Sequence, residues 1–143
     1  MVIQRIQSLL LLIAAILMAV FCFVIPVASF SYAISPESFS PLYIKDLAVL
    51  LTMDLIIVVL LVADIFLYKN LKHQMSTTML TIMLQIVSMA VTAFVLVSRL
   101  PAGAEASWLG FGIVSPVALV LTLAAWYRMR ADQRLLRSYD RLR

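Results

Sequence analysis

The chain has one cysteine, one histidine and three glycines in 143 residues, and each shortage removes a class of function. A single thiol cannot form a redox pair, and without partners it makes no thiolate metal site. The lone His73 sits beside Lys72 with no second histidine or carboxylate cluster near it, so it reads as a solvated loop residue. Gly103, Gly110 and Gly112 do not form a phosphate-cradling loop. No catalytic residues, cofactor or metal are expected, and the chain reads as a non-enzyme. Charge is scarce as well. Only 13% of residues are charged against 64% apolar, and the mean hydropathy of +1.08 exceeds what a water-facing surface tolerates.

What the chain does have is four long apolar runs, at residues 6–25, 47–67, 76–97 and 108–127. Each approaches the roughly 20 residues that cross ~30 Å of hydrocarbon at ~1.5 Å per residue. Hydrocarbon satisfies no backbone group, and the strict alternation of barrel strands is absent, so the spans are expected to be helices. The expected fold class is all-α: a polytopic four-transmembrane-helix bundle over residues 1–127, followed by a basic, amphipathic cytoplasmic helix over 128–143. The first run is longer than the ~7 to 15 residues of a secretory signal core, so it is read as a retained span.

Lysine and arginine resist translocation and mark the cytoplasmic side. Arg5, Lys69, Lys72, Arg128, Arg130, Arg134, Arg137, Arg141 and Arg143 fall on one side of the implied membrane, and only Lys45 and Arg99 on the other. Nine against two predicts a multi-pass membrane protein with both termini and the 69–75 loop in the cytoplasm. Trp108, and Trp126 with Tyr127, suit the two interfaces. The outer loops, 31–46 and 98–107, hold Pro36, Pro41, Pro101 and Gly103 and are too short to bury a core of their own. No external domain is expected.

Two carboxylates, Asp54 and Asp64, interrupt the second span, which tolerates them. Fifteen Leu, Ile, Val or Phe residues in 47–67 contribute together about −7 kcal/mol, against about +3 kcal/mol for a central Asp. Ten residues separate the two, or ~15 Å along a helix, so they share no proton or ion. In the third span Thr78, Thr81, Gln85, Ser88 and Thr92 are spaced 3, 4, 3 and 4 apart and stack on one helical face. An antiparallel hairpin about the 69–75 turn would set Asp64 level with Thr81, and Asp54 level with Val91 and Thr92. These groups read as interhelical hydrogen-bonding packing residues. The functional alternative makes Asp54, with Asp64, Thr81, Gln85, Ser88 and Thr92 around it, a protonatable intramembrane site.

In the tail, Arg130, Arg134, Arg137 and Arg141 are spaced 4, 3 and 4 apart, one face of a helix whose other side carries Leu135, Tyr139 and Leu142. Asp132 is spaced to pair with Arg128, and Asp140 with Arg137. The stripe suits anionic lipid. It also suits an acidic protein or nucleic acid, and arginine without lysine favours bidentate recognition of carboxylate or phosphate.

Three stretches carry a family likeness: Val2 to Ser8 with the apolar run behind it, Tyr68 to Gln74, and Leu136 to Arg143. They resemble domain-of-unknown-function family 4293, small four-span bacterial inner-membrane proteins, over essentially the whole length. The resemblance implies the same topology and supplies no catalytic residue. Its matched positions Gln4, Arg5, Gln7, Gln74, Arg137, Ser138, Asp140 and Arg141 all fall on the cytoplasmic side of the expected topology. The function expected is therefore an accessory or scaffolding subunit that contacts another inner-membrane or cytoplasmic protein through that face. The alternative is a homo-oligomeric proton- or cation-coupled transporter using Asp54.

Overall fold

A computed structural model describes residues 2–23, 28–32, 35–42, 47–99, 104–107 and 109–142, with side chains described for 6–23, 47–98 and 112–142. Lys45, Trp108 and Arg143 lie outside the described residues, as do the side chains of Gln4, Arg5 and Arg99. Four helices dominate: α1 Val2–Phe23, α2 Ala48–Phe66, α3 Leu71–Arg99 and α4 Leu109–Arg141. All four are long and apolar enough to cross a membrane. Each packs against two others, α1 on α2 and α4, and α3 on α2 and α4, which closes a four-membered ring. The N-terminal part of α1 meets the C-terminal part of α4 through a Gln7–Asp132 hydrogen bond, so the chain runs up, down, up, down with both termini at one end.

The α2–α3 connection is tighter than the apolar pattern indicates. A single 3-10 turn, Leu67–Lys69, and Asn70 separate the two helices, and α3 starts at Leu71, five residues before the apolar run begins. Lys72, His73 and Gln74 are thus the first turn of a helix, where their polarity hid it. His73 is exposed, whereas Gln74 is buried. α4 passes through Pro116 without ending. The fourth residue before that proline, whose carbonyl the ring displaces, is Gly112, where an added Cβ meets no atom within 4 Å.

The opposite end carries an element that the loops did not foretell. Strands β1 Ala28–Tyr32, β2 Ser35–Leu42 and β3 Ala104–Ser107 form an antiparallel sheet in the order β2-β1-β3. β1 is central, with Ser29 opposite Pro41 on one side and Ser107 on the other. Pro36 and Pro41 both fall on the edge strand β2, where a missing N–H need not interrupt the ladder. The sheet thereby joins the α1–α2 and α3–α4 connections at the end remote from the termini.

Packing inside the bundle divides in two. Toward the termini, Leu11, Ala14, Ala15 and Met18 of α1 meet Ile57 and Leu61 of α2 and Ala118, Ala125 and Met129 of α4. Toward the sheet, Phe21, Cys22, Leu47, Leu50, Leu96 and Val114 form a second apolar cluster. Outside, large apolar side chains are bare on every helix: Ile16, Val59, Met83 and Val120 are more than half exposed, and Phe94 is 74% exposed. Water would penalise that surface heavily. Lipid does not.

Candidate functional site

The third helix is polar inside and apolar outside, the reverse of a helix on a soluble protein. Gln74, Thr78, Thr81, Gln85, Ser88 and Thr92 are buried, while Met79, Leu80, Met83, Ile86, Val87 and Phe94 are exposed. The 3-and-4 spacing turns one set toward α2 and α4 and the other toward lipid. On α2, Asp54 and Asp64 are 1% and 0% exposed. α4 adds buried Ser115 and Thr122, and α1 adds buried Gln7.

Both aspartates are bonded across the α2–α3 seam. The Ser88 hydroxyl donates to Oδ1 of Asp54. The Thr78 hydroxyl lies 3.0 Å from Oδ2 of Asp64, 2.8 Å from the Gln74 carbonyl and 3.7 Å from the Met129 sulfur, and Nε2 of Gln74 donates to the Asp64 backbone carbonyl at 2.8 Å. Thr78 is three residues nearer the hairpin turn than the expected Thr81, and Ser88 is three and four residues nearer than the expected Val91 and Thr92. The early start of α3 at Leu71 accounts for that offset. Thr81, Thr92 and Thr122 turn their hydroxyls onto carbonyls of their own helices, those of Thr77, Ser88 and Ala118. Among the described residues, Oδ2 of Asp54, Oδ1 of Asp64, and both Nε2 and Oε1 of Gln85 are buried without a partner.

At the terminal end, Nε2 of buried Gln7 donates to Oδ2 of Asp132 at 2.5 Å. The helical spacing had offered Asp132 to Arg128; a contact between residues 125 positions apart leaves no local trace. Charge-assisted hydrogen bonds are worth about 1.5–3 kcal/mol. Gln7→Leu should therefore speed amide exchange over residues 130–141 by about tenfold or more, measured by hydrogen exchange with mass spectrometry, and leave α2 and α3 unaffected.

Beyond that bond the tail is one exposed helix. Arg130 stacks on the Trp126 ring at 5.3 Å, and Trp126 meets Tyr127 edge-on at 5.3 Å, so this arginine is engaged at its own helix surface. Arg134, Arg137 and Arg141, with Ser138 and Leu142, line an open hollow of about 360 Å³. Asp140, Leu135, Leu136 and Tyr139 are exposed. The stripe is thus divided into one anchored arginine and three that share a hollow. Ser115 and Thr122 belong to the polar interior beside the residues expected there; their seven-residue spacing on α4 was the available signal.

Among the described residues no group of three His, Cys, Asp or Glu side chains could hold a metal ion. Four long apolar helices, bare apolar faces outward and a polar seam inward define a multi-pass membrane protein. Its relatives are defined by sequence: the chain belongs to the domain-of-unknown-function family DUF4293, whose model matches residues 3–142. No curated protein and no solved structure matches it.

Proposed function

We propose that this chain is a non-enzymatic accessory or scaffolding subunit of the bacterial inner membrane, which contacts a partner protein through its cytoplasmic end. The nine-to-two distribution of basic residues supports placing the terminal end inside the cell. The observation that carries the reading is the unbroken course of α4 to Arg141. Asp132 is level with Gln7, at the edge of the apolar run of α1. From there Arg137 stands ~7.5 Å further along the helix and Arg141 ~14 Å, whereas each headgroup layer is only ~5–8 Å deep. Arg134 suits anionic lipid; Arg141 reaches past it.

Three exposed arginines on one face of α4, with the Ser138 hydroxyl among them, match a partner surface that presents carboxylates. Leu135, Tyr139 and Leu142 give the same tail an apolar side, as an amphipathic docking helix requires. Changing Arg134, Arg137 and Arg141 together to Ala should reduce recovery of the partner in mild-detergent co-purification at least tenfold and leave membrane insertion unchanged. The triple Lys variant should retain part of it, since charge survives and the bidentate geometry does not. Equal recovery from all three chains would refute the reading.

A second reading, a small proton-coupled transporter using Asp54, is favoured by the partnerless carboxylate oxygen at mid-bundle. In liposomes, Asp54→Asn would then abolish proton flux while preserving the fold; flux unaltered by that change would dismiss the reading.

A further inference from the structure

The four partnerless atoms belong to Asp54 and Asp64 of α2 and to Gln85 on the buried polar face of α3. In a protein surrounded by lipid, no partner can come from outside the bundle, so whatever completes Gln85 and the two carboxylates enters from an end. The two ends differ. On the terminal side of Asp54, buried polar groups follow one another: Gln7, Gln74, Asp64, Thr78, Thr81, Gln85 and Ser88. On the sheet side, Phe21, Leu47, Leu50, Leu96 and Val114 close the interior, with buried Ser115 the next residue of α4, and the Thr92 hydroxyl is taken by the Ser88 carbonyl. On the terminal side the apolar cluster of Leu11, Met18, Ile57 and Met129 draws its buried members from α1, α2 and α4 and leaves the α3 face polar.

We infer that a water-accessible polar path enters at the terminal end, runs along Thr78, Thr81 and Gln85, and stops at Asp54 beneath the apolar plug. Successive groups on that α3 face are three or four residues apart, or ~4.5–6 Å along the axis. One water with two hydrogen bonds of about 2.8 Å bridges such a gap. Gln85 supplies what a water chain needs at its middle, a donor and an acceptor on one side chain, and both are free. The cargo suited to this path is the proton. Its lining is hydroxyl, amide and the Asp64 carboxyl beside Thr78, and its end is the Asp54 carboxyl. No charged residue lies in α1 between residues 6 and 23 or in α3 between 74 and 98, and the titratable neighbour of Asp54 on α1 is the Cys22 thiol. The inference deepens the second reading by giving Asp54 access from one side only. It is tested by hydration rather than by flux, so the two can fail separately.

The test uses the full chain in liposomes. Water-edited solid-state NMR on the unsubstituted protein should show rapid magnetisation transfer from water to the Gln85 side-chain amide, and at least tenfold slower transfer to the Leu50 and Leu96 methyls. In a Cys22→Ala background, Thr81→Cys and Gln85→Cys should react with a charged methanethiosulfonate at least tenfold faster than Leu50→Cys or Leu96→Cys. A dry Gln85 amide in the unsubstituted chain would overturn the inference. So would labelling at Leu50 or Leu96 as fast as at Thr81.

Discussion

Ala125→Phe should drive α1 and α4 apart and cause the largest loss of stability of any single change in the bundle interior. The Gln7–Asp132 bond sets the register of the two antiparallel helices, and seven residues along from each member lie Ala14 and Ala125. Both are fully buried in the same cluster. Between transmembrane helices there is no hydrophobic driving force, because lipid tails are as apolar as leucine. Association depends on close packing, and small side chains facing each other permit it. A ring placed there finds Leu11, Met18 and Met129 already filling the cluster. Overpacking costs typically 1–3 kcal/mol and occasionally more; here the lost α1–α4 contact adds to it, so about 3 kcal/mol or more is expected. Unfolding titrations in mixed detergent micelles measure this. Ala125→Gly, which keeps the approach close, should cost about 1 kcal/mol through helix propensity alone.

The second large effect is expected at Asp64, and its size depends on whether one partner or both are removed. Thr78→Val strips Oδ2 of the hydrogen bond it has while Oδ1 already lacks one. Interhelical side-chain hydrogen bonds in membranes average only ~0.6 kcal/mol. A buried carboxylate left with no donor loses more than the bond, about 1–3 kcal/mol, so the desolvation penalty outweighs the bond energy. Asp64→Leu alone is nearly isosteric and should cost less. The double variant should be close to the unsubstituted chain, with a coupling of about 1–2 kcal/mol in the double-mutant cycle. Additive losses would mean that Thr78 acts through the Gln74 carbonyl or Met129 rather than through Asp64.

Both cases show where the sequence was legible. The four spans could be read because hydrocarbon demands about twenty apolar residues per crossing. The inward face of α3 could be read because a helix puts Thr78, Thr81, Gln85, Ser88 and Thr92 in one line, and all five are buried. Levels between helices could not be read. They depend on where the chain turns, and the start of α3 at Leu71 shifts the hydroxyl partners of Asp64 and Asp54 by three to four residues. The sheet was illegible for a related reason: β1 and β3 pair across the whole of α2 and α3, and nothing local in Ala104–Ser107 marks that pairing. The Gln7–Asp132 contact is a third instance. In the tail, arginine spacing announces a helical stripe, but the stacking of Arg130 on Trp126, which leaves Arg134, Arg137 and Arg141 as the group around the hollow, depends on side-chain rotamers that spacing does not specify.

The central claim is that lipid surrounds these four helices and that both termini share the cytoplasmic side while the sheet faces outward. Maleimide labelling of intact cells tests it directly, with an impermeant reagent on Glu105→Cys and Ser138→Cys variants in a Cys22→Ala background. The account predicts that Glu105→Cys reacts in intact cells and that Ser138→Cys reacts only after the membrane is opened. Labelling of Ser138→Cys from outside intact cells would contradict it.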